Sequence, residues 1–206
     1  METVLIRCVY KTNKVQYLDE IDRKIIAQLQ KNGRTTLEDL SKLTKFTSMG
    51  TKKRLQKLQD RKIIKTQALL NPSATGLLPA VVLLEMTDTK AMQDLLNRFQ
   101  MCPRVVYLFK TIGGYNLIGL VVAENQDTLE SISAEKCSLR SCTGIRRSEF
   151  YPIGDVAFSP FLPVREYLAT RDGTTTPCGV DCEPCPRYQN RRCVGCPATK
   201  YYRGTL

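Results

Sequence analysis

The chain has 206 residues, enough for one large domain or two small ones with a tail, and 42% of them are hydrophobic, which supports a packed core and excludes global disorder. Its 31 Lys and Arg against 20 Asp and Glu give a formal net charge of +11, which points to a polyanionic partner, nucleic acid before membrane surface. Histidine is absent, which excludes Ser-His and Cys-His catalytic arrangements and leaves cysteine as the ligand for any soft metal.

The charge is uneven. Met1 to Gly76 carries 16 basic and 7 acidic residues, Leu77 to Val164 carries 8 and 9, and Arg165 to Leu206 carries 7 and 4. A polyanion is therefore expected to bind the first third, whereas a merely solvated basic surface would spread its charge. The apolar stretch Val4-Leu5-Ile6 is cut off by Arg7, so no signal peptide is expected. No apolar run approaches the roughly 20 residues of a membrane span. A cytoplasmic location follows as an expectation, with reduced thiols, and the nine cysteines then need a reason other than disulfides.

In chain order, residues 1–17 form an N-terminal extension with a possible short strand, Thr3 to Tyr10. Leu18, Ile21, Ile25, Ile26 and Leu29 make an apolar stripe at helical spacing, with Asp19 as N-cap and Asn32-Gly33 as the stop. Thr36-Leu37-Glu38-Asp39 fits a capping box for a second, short helix buried through Leu37, Leu40 and Leu43 and breaking near Lys45-Phe46. Thr47 caps a third helix. Thr51, Leu55 and Leu58 lie on its inner face, and Ser48, Met49, Lys52, Lys53, Gln56 and Lys57 point outward. This trio predicts a winged helix-turn-helix over 18–76 whose third helix enters the major groove of double-stranded DNA. The candidate DNA-binding set is Ser48, Met49, Thr51, Lys52, Lys53, Arg54, Gln56 and Lys57. The plainer alternative is a helical bundle with a solvated basic face.

Several stretches here resemble the Lrp/AsnC transcription regulators: Leu18 through Ile26, Asn32-Gly33-Arg34-Thr35-Thr36 with Leu40-Ser41, Phe46 through Ile64, and Leu69 through Gly76. This sequence departs from that pattern at Gly50 and Thr51 inside the third helix and at Lys62, where the family usually has glycine. Gly50 weakens the helix start by up to ~1 kcal/mol relative to alanine and would let a backbone approach DNA closely.

Residues 77–156 read as a strand from Leu78 to Met86, a helix through Met92, Leu95, Leu96 and Phe99, and strands Val105–Ile112 and Asn116–Ala123 across a Gly113-Gly114 turn. A helix capped by Asp127 and a last strand, Gly144 to Ile153, complete the series. The order βαββαβ predicts an α+β, ferredoxin-like domain. It resembles the effector domain of Lrp/AsnC proteins, which implies a homodimer or higher oligomer and a small-molecule effector. Gly113, Gly114, Tyr115 and Asn116 correspond to the Gly-x-Tyr-Asp element of that family, with Asn116 in place of the acid. The alternative is that the glycines only form the turn and Tyr115 packs.

Residues 157–176 look like a linker, and 177–206 like a small metal-stabilised Cys-rich module. Cys178, Cys182, Cys185, Cys193 and Cys196 follow the spacing C-x3-C-x2-C-x7-C-x2-C. Each C-x2-C pair aims two thiolates at one ion, so Cys182, Cys185, Cys193 and Cys196 are the simplest zinc set, with Cys178 a fifth candidate. An iron–sulfur cluster is the alternative cofactor, and a disulfide framework the plain reading. Cys8, Cys102, Cys137 and Cys142 show no such spacing and are expected as buried small hydrophobes, with Cys137 and Cys142 a possible redox pair.

The function expected is a sequence-specific DNA-binding regulator, responsive to a ligand, metal or thiol oxidation, with no catalytic residues and no membrane partner. The alternative is an iron–sulfur redox protein or enzyme. RNA binding lacks an aromatic RNP-like strand.

Overall fold

A computed structural model describes residues 17–169 and 171–206. The strand expected at Thr3–Tyr10 and Cys8 lie outside the described residues. The chain divides into two units, residues 1–67 and 68–206.

The first unit contains three helices, α1 (Glu20–Lys31), α2 (Leu37–Thr44) and α3 (Ser48–Asp60). Each starts on a short polar side chain that accepts a hydrogen bond from an orphan amide of the first turn. Asp19 accepts from Asp22, Thr36 from Asp39, and Thr47 from Gly50. The break between α2 and α3 is a left-handed residue, Lys45, at φ 59°. Ile25, Leu40 and Leu58, one from each helix, form the buried centre, flanked by Leu18, Ile21, Leu29 and Leu55. The chain leaving α3 turns back so that Ile63 and Ile64 donate to the Leu58 carbonyl and pack on this centre. This is the α-helical core of a winged helix-turn-helix.

The second unit begins at Ala68, so Ala68–Gly76, expected with the DNA-binding domain, belongs here. A turn of helix, α4 (Pro72–Thr75), precedes β1 (Leu78–Met86), α5 (Thr89–Phe99), β2 (Val105–Lys110), β3 (Leu117–Ala123), α6 (Gln126–Ala134) and β4 (Ile145–Pro152). The strands form one sheet in the order β2-β3-β1-β4, every neighbour antiparallel. Val82 and Leu84 point to one face, where Leu95 and Phe99 of α5 and Leu129 and Ile132 of α6 close the main core.

Residues 157–206 are neither a bare linker nor a separate module, which corrects the expectation for both segments. Leu162 and Leu70 exchange backbone hydrogen bonds of 2.8 Å in both directions. Val164 and Leu206 are buried with Leu77, Val106 and Val122 on the second face of the sheet. The segment ends in a short helix, α7 (Pro186–Gln189), and a coil that also docks on the α/β layer. Arg187 donates to Ser131 Oγ and to the Asp127 carbonyl, and Val194 N–H donates to Thr128 Oγ1. A segment with too few hydrophobes to fold alone gains its core from the domain before it.

Candidate nucleic-acid interface and thiol cavity

The third helix separates its two faces cleanly. Thr51 is 1% exposed and Leu58 3%, while Ser48, Met49, Lys52, Lys53, Gln56 and Lys57 are all exposed. Among the described residues Lys52, Lys53 and Lys57 have no ion-pair partner, so three ammonium groups stand on one side of one helix. The Gln56 amide donates to Asp60 at 2.8 Å.

Two members of the expected DNA-binding set are placed elsewhere. Thr51 is buried, within 3.4 Å of the Thr44 hydroxyl, and ties α3 to α2. Arg54 donates to Asp19 at 2.5 Å and to Asp22 at 3.0 Å and lies over the Phe46 ring, so it ties α3 to the start of α1. Its reach to a duplex is spent inside the unit. The Asp22 amide and the Arg54 guanidinium hold the Asp19 carboxyl below the usual range. Gly50 has an internal reason as well. A Cβ there would stand 3.2 Å from Thr47 Oγ1 and 3.5 Å from the Phe46 ring, crowding the cap.

The turn between β2 and β3 is internally partnered. Asn116 accepts from Met86 N–H at 2.8 Å and donates to the Met86 carbonyl at 2.9 Å, so its amide is matched at both ends to the end of β1. Tyr115 donates to Glu149 and stacks under Arg147, whose guanidinium carbon is 4.4 Å from the ring centroid. Gly113 and Gly114 are exposed turn residues. Of the effector quartet, the side chains of Tyr115 and Asn116 are therefore already used.

The cysteines gather differently from the way their spacing suggests. Cys178, Cys182, Cys193 and Cys196 line one cavity of about 50 Å³. Cys102, expected as a buried hydrophobe, and Cys137, expected as one or as the redox partner of Cys142, line the same cavity. Cys185 does not; it faces a neighbouring cavity of about 210 Å³ shared with Cys137, Cys182 and Cys193. Cys142 lies apart, accepting from Arg98 at 3.4 Å. Among the described residues no three Cys, Asp or Glu side chains form a group that could hold a metal ion.

The remaining cavity wall is core. Val82, Phe99, Val105, Val121, Ile132 and Leu139 supply it. Arg104, 7% exposed, forms a two-pronged pair with Glu124 and donates to the Gly195 carbonyl at 2.7 Å. Burial works against its cation, but Glu124 more than offsets this and raises its pKa. Gly195 adopts φ 84°, and a Cβ there would stand 2.9 Å from the Tyr201 carbonyl, so glycine is required for the loop to reach Arg104. Burial pushes the Cys137 and Cys196 thiols up to about 12 and Cys182 up to about 11. Sequence spacing could not find Cys102 and Cys137, because they stand on loops after α5 and α6 and meet the tail only through the fold.

Comparison with known proteins accords with the first unit and the sheet. Residues 18–59 match the AsnC-type helix-turn-helix domain. The chain is 28% identical over 115 residues to the HTH-type transcriptional regulator FL11 of Pyrococcus horikoshii, spanning 55% of this chain and 76% of that protein. It is 30% identical over 105 residues to the uncharacterized HTH-type transcriptional regulator PH0045 of the same organism, spanning 49% of this chain and 68% of that protein. The crystal structure of Mycobacterium tuberculosis leucine response regulatory protein (LrpA) superposes with a TM-score of 0.61 at 24% identity, over 69% of this chain and 97% of that one. With the three capped helices, the cationic face of α3 and the α/β layer that follows, these matches place the chain in the Lrp/AsnC family of sequence-specific, DNA-binding transcription regulators.

Proposed function

We propose that this regulator reads duplex DNA with the outward face of α3. The observation that carries this is the trio Lys52, Lys53 and Lys57, exposed on one side of the helix and free of ion pairs among the described residues. Lysines of that kind neutralise phosphates and fix register, while Ser48 and Met49 at the helix start, with Gln56, offer base-edge contacts. Thr51 and Arg54 set the helix in place and take no part in readout. Duplexes selected from a random pool by the full chain should share a motif. The triple substitution Lys52→Ala, Lys53→Ala, Lys57→Ala should weaken binding to all of them and lower the slope of log K against log salt by about 2–3. An unchanged slope rejects this face.

The working form is a homodimer or a larger assembly of dimers. Its support is the second face of the sheet. Tyr107, Leu120, Val81 and Tyr151 align across the four strands, and beside them Phe109, Ile118 and Leu83. Tyr107, Phe109 and Tyr151 are exposed by 41%, 49% and 51%. An apolar row of this length on one chain is characteristic of a subunit contact. A small-molecule effector at the turn 113–116 is not part of this proposal, since Asn116 and Tyr115 are already partnered.

A second reading gives the tail a soft-metal site, through which metal or redox state would tune DNA affinity. It rests on the shared cavity of the cysteines. Operator binding with and without a chelator or peroxide tests the coupling; identical curves make the tail a structural element only.

A further inference from the structure

Between Arg187 and Arg203 the tail carries five cationic side chains, and their surroundings divide them into two groups. Arg187 pairs with Glu130 at 3.1 Å and Arg192 pairs with Asp127, so these two dock the tail on α6. Arg191, Lys200 and Arg203 are exposed and have no ion-pair partner among the described residues. Docking does not account for them.

The tail holds these cations on a fixed base. Arg191 follows α7 in the left-handed region at φ 58°, where a helix end favours glycine or asparagine, and its N–H donates to the Tyr188 carbonyl at 3.1 Å. The Arg203 guanidinium lies flat on the Tyr188 ring, 3.9 Å from its centroid, and donates to the Tyr188 carbonyl at 3.4 Å. Tyr188 is itself buried, and its hydroxyl donates to the Tyr201 carbonyl at 2.7 Å, so the platform is set. The Tyr201 ring meets Tyr188 edge-on and carries the third cation, with Lys200 Nζ 5.2 Å from its centroid. An arginine already laid on a ring has less freedom to lose on binding, and most of the Arg203 N–H donors stay free among the described residues.

Arg191 and Arg203 line one open cleft with Gln189, Cys193 and Val194, and no carboxylate lines it. A small molecule is bound by enclosure on most sides, which an open cleft of this kind does not provide. Two guanidinium forks at the rim of such a cleft match phosphate oxygens on a strand laid across it. Duplex DNA is the polyanion already at hand, given the reading of α3 on which this assignment rests.

We propose that Arg191, Arg203 and Lys200 form a second DNA contact, one that grips the sugar–phosphate backbone without reading sequence. The α3 face supplies specificity, and the tail adds affinity that falls with salt.

The test is a salt titration of duplex binding by the full chain, on a duplex carrying the selected motif and on a scrambled one of equal length. Arg191→Ala, Lys200→Ala and Arg203→Ala together should lower the slope of log K against log salt by about 2–3. Binding to both duplexes should weaken by the same factor; a changed ratio overturns the backbone assignment. An unchanged slope here, with a lowered slope in the α3 triple-lysine variant, overturns the tail contact and leaves the α3 reading standing. The opposite pattern keeps the tail contact and rejects the α3 face, and two unchanged slopes reject both. Arg203→Ala removes a ring contact, so Arg191→Gln serves if the triple variant misfolds. Its slope should fall by about 1 with the melt unchanged, and an unaltered slope overturns the proposal. Retained DNA affinity with lost binding to a polyglutamate peptide assigns the surface to an acidic protein and equally overturns it.

Discussion

Asn116 shows how one side chain can be required by its neighbours. Its amide offers an acceptor to Met86 N–H and a donor to the Met86 carbonyl, and no other side chain of that size does both. Asn116→Asp keeps the first bond and turns a carboxylate oxygen toward the carbonyl. The cost is about 1–3 kcal/mol, the range for a half-buried polar group left unmatched, and urea unfolding of the two proteins should show it. Asp19 supplies a pH prediction. Its carboxyl is held below the ordinary 3.8 by the Asp22 amide and by Arg54. A group depressed in the folded state contributes stability that is fully present above its unfolded value and is lost as the pH falls through its folded value. The helical unit should therefore lose stability below about pH 4, and Asp19→Asn should flatten that acid limb in a thermal melt scanned across pH.

At the scale of elements, caps and stripes were legible and strand ends were not. Asp19, Thr36 and Thr47 are all named by their residue type and the apolar period that follows, and each caps its helix. Helix α6 begins earlier than expected, because Asn125, two residues before Asp127, is an equally good cap and takes the position. Strand β2 ends at Lys110, two residues short of the expected Ile112. Ile112 is 81% exposed, where the chain bends into the turn that Asn116 pins. Periodicity placed Thr51 on the inner face of α3, while proximity to the basic side chains also suggested it for DNA; burial decides for the former. The two faces of α3 predict opposite phenotypes. Leu58→Ala empties a fully packed site and should cost about 2–5 kcal/mol, measured by thermal or chemical unfolding. The triple lysine substitution should leave the melt unchanged and weaken DNA binding.

For the whole molecule, the sheet has one face closed by α5 and α6 and another closed only in part. Leu162, Val164, Tyr202 and Leu206 cover one end of the second face, and the aromatic row through Tyr107 and Phe109 is left open. A charge at the exposed β2 end of that row should split the assembly. Phe109→Glu is expected to shift the full chain from dimer toward monomer in light scattering while the circular dichroism spectrum stays the same; a dimer that persists places the contact elsewhere.

The sequence by itself determined the three capped helices, the alternation that makes the sheet, the cationic surplus of the first third and the presence of a cysteine-rich tail. All of these depend on neighbours within a few positions, where helical and strand periods and cap chemistry act. Only the tertiary structure decided that Arg54 faces Asp19 across 35 positions, that Asn116 serves β1, and that Cys102 and Cys137 meet the tail while Cys185 turns away. Those pairings depend on how layers stack and how buried charges and amides find partners, and no local spacing carries that information.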